Sequence, residues 1–199
     1  YKVINLDKVS YSSNFYNTKE YQKNKNYKFI KCDLNNKNKL NKIIFKHKPI
    51  GIFNLAAETH VDRSIDGPKS FIDSNIIGVF NLLEIFREYS KLNKKSKLIH
   101  ISTDEVYGSI EFGSWTEEWP LLPNSPYSAS KAGGELLARS YNKTHGLDVV
   151  ITRCSNNYGP FHFPEKLIPL FVTNLLEGKM IPVYGSGMNV RDWLHVDDH

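Results

Sequence analysis

The sequence predicts an α/β protein built as a doubly wound parallel sheet, and three observations carry that expectation. Short apolar runs alternate with stretches of helical periodicity along the 199 residues. Those runs are continuously apolar, as strands buried on both faces are, and do not alternate like half-exposed strands. No internal repeat or low-complexity linker interrupts the pattern.

Taken in order, Lys2–Asp7 (KVINLD) is a short apolar run closed by an acid and reads as a buried strand. Ser10–Asn26 is polar and tyrosine-rich without a stable period, so it reads as a long loop or weak helix. Phe29–Cys32 is a second strand, closed by Asp33. Leu40, Ile43 and Ile44 mark one face of a lysine-rich helix that Pro49 ends. Ile50–Ala57 (IGIFNLAA) is a central strand. From Lys69 to Leu92, Ile72, Ile76, Val79, Phe80 and Leu83 recur at helical spacing. Leu98–Thr103 is a strand, and Tyr127–His145 a helix that Gly146 stops in a left-handed cap. Val149–Arg153 reads as a strand, Pro164–Gly178 as a helix and Ile181–Tyr184 as a final short strand.

Composition narrows the class. Hydrophobic residues make up 40% of the chain, enough for a sizeable core in one domain or one domain and part of another. No run approaches the roughly 18 apolar residues of a membrane span, and no signal peptide is visible, so the expectation is a soluble, cytoplasmic protein without a membrane partner. Cys32 and Cys154 lie far apart without metal-ligand spacing and read as buried thiols; no metal is expected. The net charge of +5 comes largely from lysines in Lys19–Lys48 and Lys91–Lys97. No nucleic-acid motif or aromatic platform accompanies them, so they read as a solvated surface and no nucleic-acid partner is expected.

The chemistry centres on Tyr127 and Lys131, a Y-x-x-x-K pattern. At i and i+4 on a helix the two side chains share one face. A tyrosine ionises near pH 10, and a neighbouring ammonium favours its phenolate, giving a base for a sugar hydroxyl while hydride leaves the same carbon. Alone, such a pair is most often two surface side chains. The strand ending in Ser102-Thr103 strengthens it, because ligands in these sheets bind beyond the carboxyl ends of strands.

At this point the chain resembles the extended short-chain dehydrogenase/reductase family, the NAD-dependent epimerases and dehydratases. The matching stretches are LAAETHVDRS (55–64), STDEVYG (102–108), YSASK (127–131) and RCSNNYGPFHFPEKLIP (153–169). With GSGMNVRDWLHVDDH (185–199), they look like the dTDP-glucose 4,6-dehydratase branch, a lyase (hydro-lyase) of deoxysugar biosynthesis. The resemblance implies a Rossmann-like fold, NAD as cofactor, dTDP-glucose as substrate and a homodimer formed through helices near 69–92 and 127–145. It implies oxidation at C4, elimination of water across C5–C6 and return of hydride to C6. Asp104 would then be the acid for the C6 hydroxyl and Glu105 the base at C5, while Thr103, Tyr127 and Lys131 serve the C4 oxidation. That division requires the two carboxyls to hold opposite protonation states; their other reading is a capped turn. Asp7 matches the acid that binds the ribose hydroxyls of NAD, Asp33 and Leu34 the residues beside adenine, and Ala56, Ala57 and Asn75 further cofactor-lining positions. For the alanines, strand packing is an equally good account. Asn156, Glu165, Lys166, Leu167 and Arg191 match substrate positions, as Thr103 does. Arg191 suits a diphosphate, its other reading being an ion pair with Asp192. Arg63 reads as an ion pair with Asp62 and stays outside the site.

Against that family the chain lacks the G-x-x-G-x-x-G turn and the first, central strand, and it stops amid RDWLHVDDH. The expectation is therefore an internal fragment, with a partial NAD-binding Rossmann domain at 1–155 and a partial sugar-nucleotide region at 156–199. Three alternatives stay open: a UDP-sugar 4,6-dehydratase, another nucleotide-sugar epimerase or decarboxylase, and an inactive truncated relative. An epimerase needs no acid/base pair at C5 and C6, which Asp104 and Glu105 would supply.

Overall fold

The computed structural model describes residues 1–199. They separate into two compact units, one of Tyr1–Val9 with Tyr21–Arg153 and one of Ser10–Glu20 with Cys154–His199.

In the first unit, β1 (Val3–Asp7) pairs in parallel with β2 (Tyr27–Lys31), Val3 opposite Tyr27 and Asp7 opposite Lys31. A second ladder runs in the order β3 (Gly51–Asn54), β4 (Lys97–Thr103), β5 (Val149–Cys154). Its β3–β4 pair is parallel, with Gly51 opposite Lys97. The strands thus form two ladders, not one sheet.

Helices cross between the strands. In α1 (Lys37–His47) the Asn36 side chain accepts from the Lys39 N–H, and Lys48 ends it at φ 48° just before Pro49. The helical period expected over 69–92 is present but broken. The chain forms α2 (Val61–Asp66) and then α3 (Lys69–Ile72). It widens into a π turn at Asp73–Ile77 before α4 (Gly78–Leu92). α5 (Pro126–His145) starts with a capping box between Ser125 and Ser128, has Pro126 in its first turn, and ends on Gly146 at φ 65°.

One apolar core joins both ladders. Leu82, Leu83, Phe86 and Tyr89 of α4 meet Leu40 and Ile44 of α1, Leu98 of β4 and Ala138 of α5, with Leu6 of β1 packed against them. Burying a side chain such as Phe86 contributes about 1.5–3 kcal/mol, so α4 is held by its apolar face and not by propensity.

The second unit holds α6 (Leu167–Leu176), and β6 (Asn156–Tyr158) paired in parallel with β7 (Trp193–His195). Within the same unit, Tyr11 stacks edge-on to Phe163 and Tyr16 to Phe161. The weak helix allowed in Ser10–Asn26 is a short 3-10 turn at Phe15–Thr18. The strand expected at Ile181–Tyr184 does not form. Pro182 has no N–H for a ladder, and Val183 and Tyr184 remain exposed. No helix is long and apolar enough to cross a membrane.

α5 lies unusually close to the π turn. A Cβ on Gly134 would stand 2.4 Å from the Asn75 carbonyl oxygen, whereas one on Gly133 would meet only the movable end of Ile76, at 3.0 Å. Gly134→Ala is therefore expected to lower stability by about 1–3 kcal/mol through overpacking. Gly133→Ala is expected to be near neutral, because the helix propensity gained, up to about 1 kcal/mol, offsets the milder contact. Urea midpoints of the two variants check this ordering.

Candidate active site

Of the residues singled out from the sequence in the first unit, all but Asn75, Tyr127 and Lys131 stand at strand exits. Asp7 closes β1, Asp33 and Leu34 follow β2, Ala56 and Ala57 follow β3, and Thr103 ends β4 with Asp104 and Glu105 directly after it. At the exit of β1, Asp7 Oδ1 accepts from the Val9 N–H at 2.5 Å, and Val9 adopts φ 61°. An unforeseen tie connects this exit to that of β3: Lys8 Nζ pairs with Glu58 and donates to Ser74 Oγ at 3.0 Å. Asp33 Oδ1 accepts from the Asn35 N–H at 2.8 Å, and the Leu34 carbonyl accepts from Asn81 Nδ2 at 3.3 Å. Ala56 is exposed and Ala57 half-buried.

Asn75 sits in the π turn, 2% exposed. Its Oδ1 accepts from the Glu58 N–H at 2.9 Å, and its Nδ2 donates to the Glu58 carbonyl at 3.0 Å and to Ser130 Oγ at 2.9 Å. The side chain thus stands in for a strand partner to the chain leaving β3 and hooks that chain to α5.

Beyond β4 the chain turns at once into a 3-10 turn, Asp104–Tyr107. Thr103 caps it: its Oγ1 accepts from the Glu105 N–H at 3.3 Å and donates to Asp104 Oδ1 at 3.2 Å. Capping and chemistry are thus not exclusive readings of these acids, because the cap itself lines them up. Asp104 and Glu105 are half-buried beside the buried Thr103.

Tyr127 and Lys131 lie on the first turns of α5, which packs on both β4 and this 3-10 turn. Lys131 Nζ donates to the Ile101 carbonyl at 2.6 Å, two residues before Thr103. The Tyr127 N–H donates to Ser64 Oγ at 3.0 Å, and its ring meets Phe71 edge-on at 6.3 Å. Helices α2 and α3 therefore seat the start of α5. The phenol-bearing helix and the carboxyl-bearing turn converge on the end of one strand.

Two further groups escaped sequence reading. His100 of β4 is buried and accepts from Asn54 Nδ2 on its Nδ1 at 3.0 Å, leaving Nε2 without a partner. Burial first, and the Lys131 charge second, lower its pKa to about 3. The second group is Arg153 at the end of β5, paired with the buried Glu135 of α5. Glu135 continues the spacing Tyr127, Lys131, Glu135 at i, i+4 and i+8, which is the signal that could have found it.

The substrate-matched residues Asn156, Glu165, Lys166, Leu167 and Arg191 belong to the second unit. The Asn156 N–H donates to the Asp192 carbonyl at 3.3 Å, which puts it beside exposed Arg191 where β6 and β7 begin. Glu165 accepts from the Tyr11 hydroxyl at 2.7 Å, Lys166 caps α6 and Leu167 opens it.

Parallel strands with chemistry-bearing side chains at their carboxyl exits, and a tyrosine–lysine helix packed over one exit, define the class: a Rossmann-like α/β fold of the dehydratase/epimerase kind. The family described as GDP-mannose 4,6 dehydratase matches residues 1–199 throughout, and the chain belongs to it. Within it, the chain is similar to dTDP-glucose 4,6-dehydratases of Streptomyces niveus, at 49% identity, and of an Actinoplanes strain, at 50%. It is covered in full by both and spans 57% and 60% of their lengths. The dTDP-glucose 4,6-dehydratase of Streptomyces venezuelae, crystallised with NAD, superposes at TM-score 0.94 with 49% identity, over all of this chain and 60% of that one. A UDP-glucuronic acid 4-epimerase from Bacillus cereus, also crystallised with NAD, superposes at 0.89 with 29% identity over 99% of this chain and 62% of that one.

His100 yields a pH dependence. Its folded pKa lies below the roughly 6.5 of an unfolded histidine, so the unfolded chain takes up the proton first. Its contribution is whole above that pH and is lost as pH falls toward 3, by at most about 1.4 kcal/mol per unit. His100→Gln is expected to flatten this slope, read as urea midpoints of variant and parent between about pH 7 and pH 4.

Proposed function

We propose that this chain carries the reaction centre of an NAD-dependent dTDP-glucose 4,6-dehydratase. The observation that carries the reading is the convergence of the Thr103-Asp104-Glu105 turn and the Tyr127–Lys131 helix on the exit of β4. The sequence likeness to dTDP-glucose 4,6-dehydratases supports the substrate class.

The strand exits fit NAD. Asp7 presents an exposed carboxylate where a ribose diol would be held, and a carboxylate there repels the additional phosphate of NADP. Asp33, Leu34, Ala56 and Ala57 would line the cofactor, and Asn75 would keep the chain after β3 in place. NAD, when bound, accepts hydride from C4 of the sugar and returns it at C6. The protein's residues do the rest. Tyr127 takes the proton of the C4 hydroxyl as hydride departs, with Lys131 stabilising the phenolate and Thr103 orienting the hydroxyl. The resulting ketone acidifies C5; Glu105 removes that proton and gives it back to C5 when hydride arrives at C6. Asp104, whose Oδ1 accepts from Thr103, protonates the departing C6 hydroxyl. In the second unit, Asn156, Glu165, Lys166, Leu167 and Arg191 would hold the nucleotide sugar, Arg191 by bidentate contact with the diphosphate. An epimerase reading leaves Asp104 and Glu105 without a task.

The same reading makes the protein a cytoplasmic homodimer. Exposed Ile77 at the end of the π turn, Phe80 in the first turn of α4 and Leu136 on α5 offer apolar contact for a second copy.

Completed with the segments by which its relatives exceed it, the chain is expected to convert dTDP-glucose to dTDP-4-keto-6-deoxyglucose, seen by mass as loss of water. Water loss from UDP-glucose in its place would overturn the nucleotide assignment. In that completed chain, Asp104→Asn is expected to slow elimination by about 10²–10⁴-fold, while the transient nicotinamide absorbance of C4 oxidation still forms. Equal loss of both steps would remove Asp104 from its role.

A further inference from the structure

Arg153, next to the end of β5, lies outside every residue given a role above, yet all three of its guanidinium nitrogens are hydrogen-bonded. Nε donates to both carboxylate oxygens of Glu135, at 3.0 and 3.2 Å, and Nη2 donates to Glu135 Oε1. Nη1 donates to the Tyr107 hydroxyl at 2.5 Å and to the Glu117 carbonyl at 3.0 Å. Glu135 is 2% exposed and Tyr107 6%. The Tyr107 ring stacks on Trp115 at 5.8 Å with planes 13° apart, and the guanidinium carbon lies 4.8 Å from its centroid.

An ion pair with one partner buried and the other half-buried is a poor source of net stability, since desolvation offsets its attraction. What a planar guanidinium supplies is fixed directions. Here those directions join two carriers of chemistry. Glu135 lies on α5, on the helix face of Tyr127 and Lys131. Tyr107 is the last residue of the 3-10 turn that begins with Asp104 and Glu105.

We propose that Arg153 is a positioning residue that sets the spacing between the carboxyl-bearing turn and the tyrosine–lysine face of α5. The inference rests on the dehydratase reading. It separates the two halves of that reaction. The base for C4 oxidation and its ammonium both ride on α5, and Thr103 is fixed as the last residue of β4, so that step does not need the clamp. Elimination needs Asp104 and Glu105 at C6 and C5 of a sugar already held against α5, so it does.

Tyr107→Phe tests this with little disturbance, because it deletes one hydroxyl and keeps the ring stack and the Glu135–Arg153 pair. Arg153→Lys keeps a cation for Glu135 but loses the fork. In the completed chain both variants are expected to leave formation of the reduced-nicotinamide transient unchanged and to slow elimination by about 10–10²-fold, the cost of a misplacement near 1 Å. Reduced cofactor would then accumulate. Amide hydrogen exchange is the second readout: the Gly108 N–H, bonded to the Glu105 carbonyl at 3.2 Å, is expected to exchange faster in Tyr107→Phe than in the parent, with α5 amides unchanged. Equal slowing of oxidation and elimination, or unaltered exchange at Gly108, would overturn the proposal. If the parent itself releases no water from any nucleotide sugar, the dehydratase reading fails, and exchange still decides whether the clamp holds the turn.

Discussion

The close approach of α5 to the π turn is the constraint on which the site depends. Only because residue 134 has no side chain can the helix backbone come down onto the Asn75 carbonyl. From that position Ser130 reaches the Asn75 amide, Lys131 reaches the backbone of β4 and Ser64 caps the Tyr127 N–H. A shift of α5 would break all three bonds together. The π turn has a matching role: its irregular register aims Asn75 inward, so that one amide serves both the chain leaving β3 and the helix above it.

Charge is arranged around this contact in a consistent way. Lys131 is 6% exposed, and a buried ammonium needs partners close by. The strand carbonyl supplies one, and the neighbouring histidine stays neutral instead of adding a second cation. At the same end, Lys8 and Glu58 neutralise each other and tie the exits of β1 and β3 together. Further along α5, Arg153 is held more firmly protonated, above all by its hydrogen bonds to Glu135. The two ion pairs thus mark the exits of β1 and β3 and the middle of α5.

Much of the architecture was legible along the chain, because strands and helices report their periods locally. Apolar runs such as LIHIST, and the spacing of Val79, Leu83 and their neighbours, need no partner to be recognised. Gly146 was readable as a left-handed cap for the same reason. Features that depend on distant partners were not readable. The break of the helix at Asp73–Ile77 has no sequence period of its own; it answers to Glu58 and Ser130. Ile181–Tyr184 has a strand-like composition but no partner, while Asn156–Tyr158 and Trp193–His195, unremarkable as sequence, find each other. Ser10–Glu20 groups with Cys154–His199 across more than a hundred intervening residues, a matter of aromatic contacts that local pattern does not carry.

The site divides the same way. Helical spacing alone put Tyr127 and Lys131 on one face, and adjacency alone put Asp104 and Glu105 after a strand. Those facts are properties of a covalent chain with fixed local geometry, so the amino-acid sequence determined them unaided. Whether the helix and the turn meet is a different question. It was decided by packing: a bare backbone at Gly134, a lysine long enough to reach Ile101, and an arginine whose fork spans Glu135 and Tyr107. Contacts between residues far apart in sequence exist only once the chain has closed on itself, so tertiary structure alone brought the helix of Tyr127 and Lys131 and the turn of Asp104 and Glu105 to the same strand end.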